Sequence, residues 1–316
     1  MRFKVQSIIL ALVLLALALA PIILSKYWIN ILTEVLIMGL FAMAFNLLFG
    51  YSGLLSFGQA APFGIGAYVT ALLIQQKFGG FLTVVGIGTF TALLASVVMG
   101  FLCVRRDEIF FAMLSLALGM MLYTIVHNWR DVTGGSDGLP VFGIPHLDLF
   151  GLSLNVKSYV NLYYLVFVIF LVGAFFIYVI IGSPHGLIMT SIRENKLRFT
   201  FSGGSVNNVR LFVFSIAGMI SGLCGSLYCI FTRMASPEML HWSFSAKPVL
   251  MTILGGSGTL FGPAVGSLIF FGLEQLITAY TTNWMIFLGA ILVPVVLFFP
   301  KGVLGTLLDL LQGREK

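Results

Sequence analysis

Ten apolar runs, most of them close to the length that crosses a lipid bilayer, alternate with short polar segments along this chain. They fall at about 7–25, 28–49, 54–74, 81–104, 109–127, 158–182, 209–231, 246–258, 260–280 and 284–300. A helix rises about 1.5 Å per residue, so a hydrocarbon core about 30 Å thick needs about 20 apolar residues. The pattern predicts an all-α, polytopic membrane protein with about ten transmembrane helices (8–10). The eighth run is short and fits either a full crossing or a re-entrant segment. The first run follows a basic start, Met1-Arg-Phe-Lys4, and contains Ala18-Leu19-Ala20, a small-residue pattern like a signal-peptidase site. Pro21 directly after it disfavours cleavage, so the run reads as a retained span.

One polar segment between the runs has the signals of an ordered helix: Ser183–Arg210, beginning SPHGLIMTSIREN. Ser183 suits an N-cap, and Pro184 suits the first helical position, where its missing N–H is not needed. Gly203 and Gly204 are the stop signal, because glycine takes a left-handed C′ conformation without a Cβ clash. Ile188, Ile192 and Phe199 share one face at helical spacing, while Arg193, Glu194 and Lys196 point elsewhere. A capped, half-apolar loop of this kind is expected to touch a partner.

Two glycine-rich segments share a local pattern. GYSGLLSFGQAAPFGIGA starts at Gly50 and GGSGTLFGPAVGS at Gly255. Both open with Gly-x-Ser-Gly, reach Phe-Gly, and then place small residues four apart: Ser56, Ala60 and Gly64 in one, Gly258, Gly262 and Gly266 in the other. Such spacing lets membrane helices approach closely. The segments read either as tight turns before well-packed spans or as broken helices whose backbone lines a solute path. Under the second reading the candidates are Gly53, Gly58, Gln59, Gly64, Gly255, Gly256, Gly258 and Gly262. The similarity is too short to establish an internal repeat. The second segment lacks the Lys-Ser/Thr of a phosphate-binding loop, and no Walker A pattern occurs in the chain.

The 128–157 segment is rich in turn chemistry, with Gly134-Gly135, Asp137-Gly138 and Leu139-Pro140 in succession. Trp129 fits an interfacial belt. The stretch Thr133, Gly134, Gly135, Ser136, Asp137, Gly138 reads as an ordinary surface loop or as an ordered docking surface. Val141, Phe142, Ile144 and Leu147 favour packing.

Composition agrees with the pattern. The 316 residues are 59% hydrophobic and 9% charged, with mean hydropathy +1.06. A soluble protein carries about 25% charged residues. The net charge of +6 is scattered among loops, which suits membrane orientation rather than nucleic-acid binding. With ten spans and a cytoplasmic N-terminus, eleven of the 17 Lys and Arg fall inside, among them Arg2, Lys4, Arg105, Arg106, Arg193 and Lys301. That bias predicts cytoplasmic N- and C-termini, a cytoplasmic 183–210 loop and an outside 128–157 loop. Residues 1–316 read as a single transmembrane domain. Cys103, Cys224 and Cys229 all lie in apolar runs and read as small hydrophobic side chains, with no disulfide framework and no metal-ligand spacing.

Glu34, Asn46, Gln59, His127, Lys247, Glu274 and Gln275 lie in or at the edge of the apolar runs. Ionisable groups at membrane depth are costly and point by default to function. Glu34, Lys247 and Glu274 are candidates for binding a zwitterionic solute, set against roles at subunit contacts or in snorkelling to water. His127 suits an interfacial position.

Four stretches carry a resemblance: GYSGLLSFGQAAPFGIGAY, FAMLSLALGMMLYTIVHNWRDVTGGSDGL, SPHGLIMTSIREN and GGSGTLFGPAVG. In this order they resemble the LivM-type membrane subunit of the high-affinity branched-chain amino-acid ABC importers, over most of residues 34–300. The resemblance implies a second, related permease subunit, two cytoplasmic ABC ATPase subunits and a periplasmic solute-binding protein. It also implies a bacterial inner-membrane location. ATP would be used by the partners, and this chain would need no cofactor or metal and would not itself be an enzyme. A coupling helix that docks on an ATPase would fall on Ser191, Ile192, Arg193, Glu194 and Asn195.

Two departures stand out. The family usually follows its REN triplet with an alanine-rich stretch, where this chain has the bulkier, basic KLRFTFSGG. A carboxylate usually precedes the eighth run, where this chain has Lys247. Related permeases for urea and short amides share much of the pattern and remain an alternative, as does a secondary transporter driven by an ion gradient. An intramembrane enzyme has no supporting motif.

Overall fold

The computed structural model describes residues 16–22, 24–106, 108–143, 147–149, 152–154 and 158–281, with short helical pieces between 286 and 306. Most of the first and tenth apolar runs lies outside the described residues.

Ten helices are named here: α1 (Lys26–Asn46), α2 (Ala60–Gln75), α3 (Phe81–Cys103), α4 (Glu108–Asn128), α5 (Tyr159–Gly182), α6 (Pro184–Glu194), α7 (Lys196–Phe201), α8 (Val206–Thr232), α9 (Trp242–Gly255) and α10 (Gly262–Thr278). A π-helical turn, Leu47–Tyr51, prolongs α1. Strands β1 (Leu139–Pro140) and β4 (Met234–Ala235) pair antiparallel, as do β2 (Leu147–Leu149) and β3 (Leu152–Leu154). Helix dominates and sheet is minor, as expected of an all-α membrane protein.

Among the described residues, five segments are long and apolar enough to cross a bilayer: Lys26–Tyr51, Phe81–Cys103, Ile109–Asn128, Tyr159–Gly182 and Val206–Thr232. Three expected spans fall short of the sequence reading. The run at 54–74 becomes helical only at Ala60, the run at 246–258 is the 14-residue α9, and the run at 260–280 is the 17-residue α10. Gly53, at φ +72°, turns the chain before the first, and Gly256, at φ +117°, ends the second. Only glycine takes these backbone angles readily.

Helices α1 and α8 form the buried centre, and α8 lies against α1, α2 and α3. Their packing uses small residues. A Cβ on Gly66 would strike the Gly222 carbonyl, and one on Gly225 would strike the Phe63 carbonyl. Ser226 Oγ donates to the Gly66 carbonyl at 3.2 Å. Lipid tails are as apolar as leucine, so close backbone approach and dispersion hold such helices together. Helices α3, α4 and α5 are peripheral and expose Phe90, Val98, Met113 and Phe175, among others, as a lipid-facing rim requires.

The 183–210 segment holds two helices where the sequence predicts one. Asn195 adopts an extended conformation between α6 and α7, and its Oδ1 accepts from Arg198 N at 2.9 Å. Asparagine is among the strongest N-caps, and here that preference restarts the helix. Pro184 sits at the first turn as expected, but the Ser183 hydroxyl donates back to the Ile180 carbonyl instead of capping. Because α5 leads into this segment and α8 leads out, it marks one end of the bundle. The β1–β4 pair marks the other, where Gln75 Nε2 donates to the Pro140 carbonyl.

Replacing Gly66 by Val is expected to destabilise the α2–α8 contact by about 1–3 kcal/mol, the usual cost of overpacking. A lowered melting temperature in detergent would show it; an unchanged one would contradict this packing.

Candidate functional site

The two Gly-x-Ser-Gly segments, 205 positions apart at their first glycines (Gly50 and Gly255), meet in space. Asn46, at the end of α1, holds them together. Its Nδ2 donates to the Thr259 carbonyl at 2.9 Å, and its Oδ1 accepts from Gly258 N at 3.1 Å. The π turn that follows widens the helix and frees carbonyls from the α-helical ladder. One of them, on Gly50, accepts from Arg193 Nη1 of α6. Gly50 has no room for a side chain, because a Cβ there would lie 2.6 Å from Gly258 N. The Arg193 stem also lies beside Gly53, and its Nη1 lies beside Gly258.

Arg193 therefore reaches the end of α1 with one Nη while the side chain as a whole stays exposed, away from the packed face as the sequence pattern places it. Helix α6 buries Gly186, Met189 and Ile192. Ser191, Arg193, Glu194 and Asn195 are exposed. Of the five residues expected to contact a partner, only Ile192 is buried, and Arg193 combines an exposed surface with its bond to the Gly50 carbonyl.

The first glycine segment is a true helix break. Residues 52–59 are irregular yet close-packed, with Ser52, Leu54, Ser56, Gly58 and Gln59 buried. Gly58 abuts the Ser115 carbonyl of α4, and Gly64 abuts Leu240. The start of α2 is satisfied within the protein: Ala60 N donates to Ser245 Oγ at 2.9 Å and Ala61 N to the Gly58 carbonyl at 3.1 Å. Pro62 has no N–H to place. Gln59 Oε1 accepts from Ser221 Oγ at 3.1 Å, while its buried Nε2 has no hydrogen-bond partner among the described residues. Irregular backbone of this kind is tolerated at membrane depth only where protein or water surrounds it. In the second segment, Gly255, Gly262 and Gly266 let α9 and α10 close into a hairpin whose tip is Gly256–Gly258.

A second cluster lies toward the other end. Glu34 of α1, Lys247 of α9 and Glu274 of α10 converge, and the Lys247 charge acts on both carboxylates. Tyr228 of α8 donates its hydroxyl to Glu34 Oε1 at 3.2 Å. Lys247 Nζ stands 5.1 Å from the Phe244 ring centroid. The sequence marks the three charged residues one by one, but nothing in it marks Tyr228, one aromatic in an apolar run. At the same end, Gln275 Oε1 accepts from Tyr27 Oη at 2.6 Å.

The 128–143 part of the 128–157 segment is held by local hydrogen bonds and turns. Thr133 Oγ1 reaches the Val126 and Trp129 carbonyls at 2.5 and 2.6 Å. Gly134, Gly135 and Gly138 all have positive φ, and Ser136 Oγ donates to Asp137 Oδ1 at 3.3 Å. Strand β1 ties the loop to β4. Trp129 is exposed, Val141 is buried and Phe142 is exposed, so only part of the expected packing is present. Ile144 and the Leu147 side chain lie outside the described residues. Tyr123 stacks on His127 and meets His241 edge-on. Cys103, Cys224 and Cys229 are buried free thiols.

The model of the branched-chain amino acid transport system / permease component family matches residues 27–296. The chain belongs to this family. It is 26% identical to the high-affinity branched-chain amino acid transport system permease protein LivM of Escherichia coli K12, covering 95% of this chain and 75% of that protein. It is 24% identical to a probable branched-chain amino acid transport permease protein LivM of Methanocaldococcus jannaschii, over 80% of this chain and 82% of the relative. The E. coli K12 permease LivH is 24% identical over 84% of this chain and 90% of its own length. No solved structure matches the chain. The matched residues of this permease include the glycine junction, the charged cluster and the α6–α7 segment.

Asn46→Leu removes both side-chain hydrogen bonds to the α9–α10 tip. At about 1 kcal/mol each, the loss should speed deuterium uptake at Gly258 about tenfold or more. Unchanged protection in the 256–261 peptide would contradict the role of Asn46.

Proposed function

We propose that this chain is a membrane-spanning subunit of an ATP-binding-cassette importer for branched-chain amino acids. It would lie in the bacterial inner membrane with ten spans and both termini in the cytoplasm. It would pair with a second permease subunit, and similarity to both LivM and LivH supports such a pair. Of two ATPase subunits serving the pair, one would dock on the exposed faces of α6 and α7, and a solute-binding protein would dock on the outer loop around Trp129 and Thr133–Gly138.

The observation that carries this reading is the Arg193 link. It joins the loop expected to meet the ATPase to the carbonyl of a broken membrane helix. An ATPase with unequal affinity for two membrane conformations would shift their populations through α6. Arg193 would pass that bias to the Gly50 turn, and Asn46 would pass it to the α9–α10 tip. Arg193 then acts as the inner half of the coupling segment, while Ser191, Glu194, Asn195 and the bulky Lys196–Phe201 stretch form its outer half.

The test uses proteoliposomes holding the assembled transporter and its binding protein. Wild-type protein should take up leucine, isoleucine or valine only with ATP. Arg193→Ala should keep ATP hydrolysis while cutting uptake per ATP about tenfold or more, the worth of a charge-assisted hydrogen bond. Uptake by this chain alone under a proton or sodium gradient would instead favour a secondary transporter. Preference for urea or short amides would favour the related solute class.

A further inference from the structure

We infer that Glu34, Tyr228, Lys247 and Glu274 form a subsite for the zwitterionic head of an α-amino acid as it passes through the membrane domain. The inference rests on the permease reading above and adds a place and a chemistry for the solute.

The four side chains come from four helices, α1, α8, α9 and α10: Tyr228 bonds Glu34, and the Lys247 charge acts on both Glu34 and Glu274. Glu34 lies about two turns into α1, and Tyr228 and Glu274 lie about one turn before the ends of their helices. All four are half-buried. Three half-buried charges at this depth are too costly to face lipid, so their open side faces protein or a water-filled path.

The cluster is short of one cation and one donor. Two carboxylates face a single ammonium. Glu34 has the Tyr228 hydroxyl, but among the described residues Glu274 Oε2 is buried without a hydrogen-bond partner. An incoming α-ammonium supplies both missing items, one positive charge and several N–H donors. Once it sits against Glu274, Lys247 no longer serves two carboxylates and can meet the solute carboxylate. The Lys247 ammonium stands over Phe244, whose ring lies 4.8 Å from Phe63 and 6.1 Å from Tyr228. An aromatic wall therefore flanks the charges, suited to an aliphatic side chain. An amide brings no ammonium and would leave Glu274 without a cationic donor.

The test is saturation-transfer NMR on the assembled transporter in nanodiscs without the solute-binding protein, so that only the membrane site is read. The probes are leucine, isoamylamine (ammonium only) and 4-methylpentanoate (carboxylate only). Wild-type protein should bind leucine best and isoamylamine next. Glu274→Gln should weaken leucine and isoamylamine about tenfold, and Lys247→Met should weaken leucine by a similar factor while sparing isoamylamine. Melting temperatures and basal ATP hydrolysis identify any variant that fails to assemble, and Glu274→Asp, which keeps the charge, should bind better than Glu274→Gln. Equal binding of leucine and 4-methylpentanoate, unchanged binding in both charge variants, or no leucine binding to a wild-type transporter that performs ATP-driven leucine uptake would overturn the subsite. Absence of that uptake would instead overturn the permease reading.

Discussion

A broken helix inside a membrane leaves backbone groups that lipid cannot satisfy, and this constraint organises the structure. The end of α1 opens into a π turn, and the hairpin tip exposes backbone groups where α9 stops. Asn46 and Arg193 answer both needs. Asn46 offers one donor and one acceptor to the tip, and Arg193 caps the Gly50 carbonyl. Each unsatisfied group would cost several kcal/mol in hydrocarbon. The junction therefore holds two helix breaks and a surface helix in one register, and glycine at position 50 lets them close to contact.

The same constraint explains why the break at 52–59 is so well packed. Several of its groups are met by the hydroxyls of Ser56, Ser245 and Ser221. The satisfied start of α2 leaves no spare N–H groups for a passing anion. Charge recognition falls instead to the cluster toward the opposite end, built from side chains. Chemistry and coupling thus occupy different ends of the same helices: α1 carries Glu34 near one end and Asn46 and Gly50 at the other, while α9 carries Lys247 and then the hairpin tip.

Much of this was legible in the sequence, for physical reasons. Runs of about 20 apolar residues have few soluble explanations, so the membrane architecture follows from length and composition. Gly50–Gly53 and Gly255–Gly258 are recognisable as possible breaks because glycine tolerates the angles they adopt. That the two breaks touch is not legible, since contact across more than 200 residues depends on tertiary packing. Asn46 is visible as a polar residue in an apolar run, but not its partners. Arg193 is visible as a residue off the packed face, but its bond to the Gly50 carbonyl is not, because helical periodicity ignores how far an arginine reaches. Asn195 splits the expected single helix because its capping preference outweighs helical continuity. Tyr228 gives no signal at all until four helices are assembled around it.

The central claim is that α6 and the α9–α10 tip move as one body, tied through Arg193 and the end of α1. Its most direct test is a spin-label distance between Leu187 on α6 and Ser257 at the tip, both exposed, followed through the ATP cycle of the assembled transporter. The account predicts a constant Leu187–Ser257 distance while the distance from Ser257 to a label at Leu102 on peripheral α3 changes. A Leu187–Ser257 distance that changes with nucleotide while Ser257 stays fixed relative to Leu102 would contradict it.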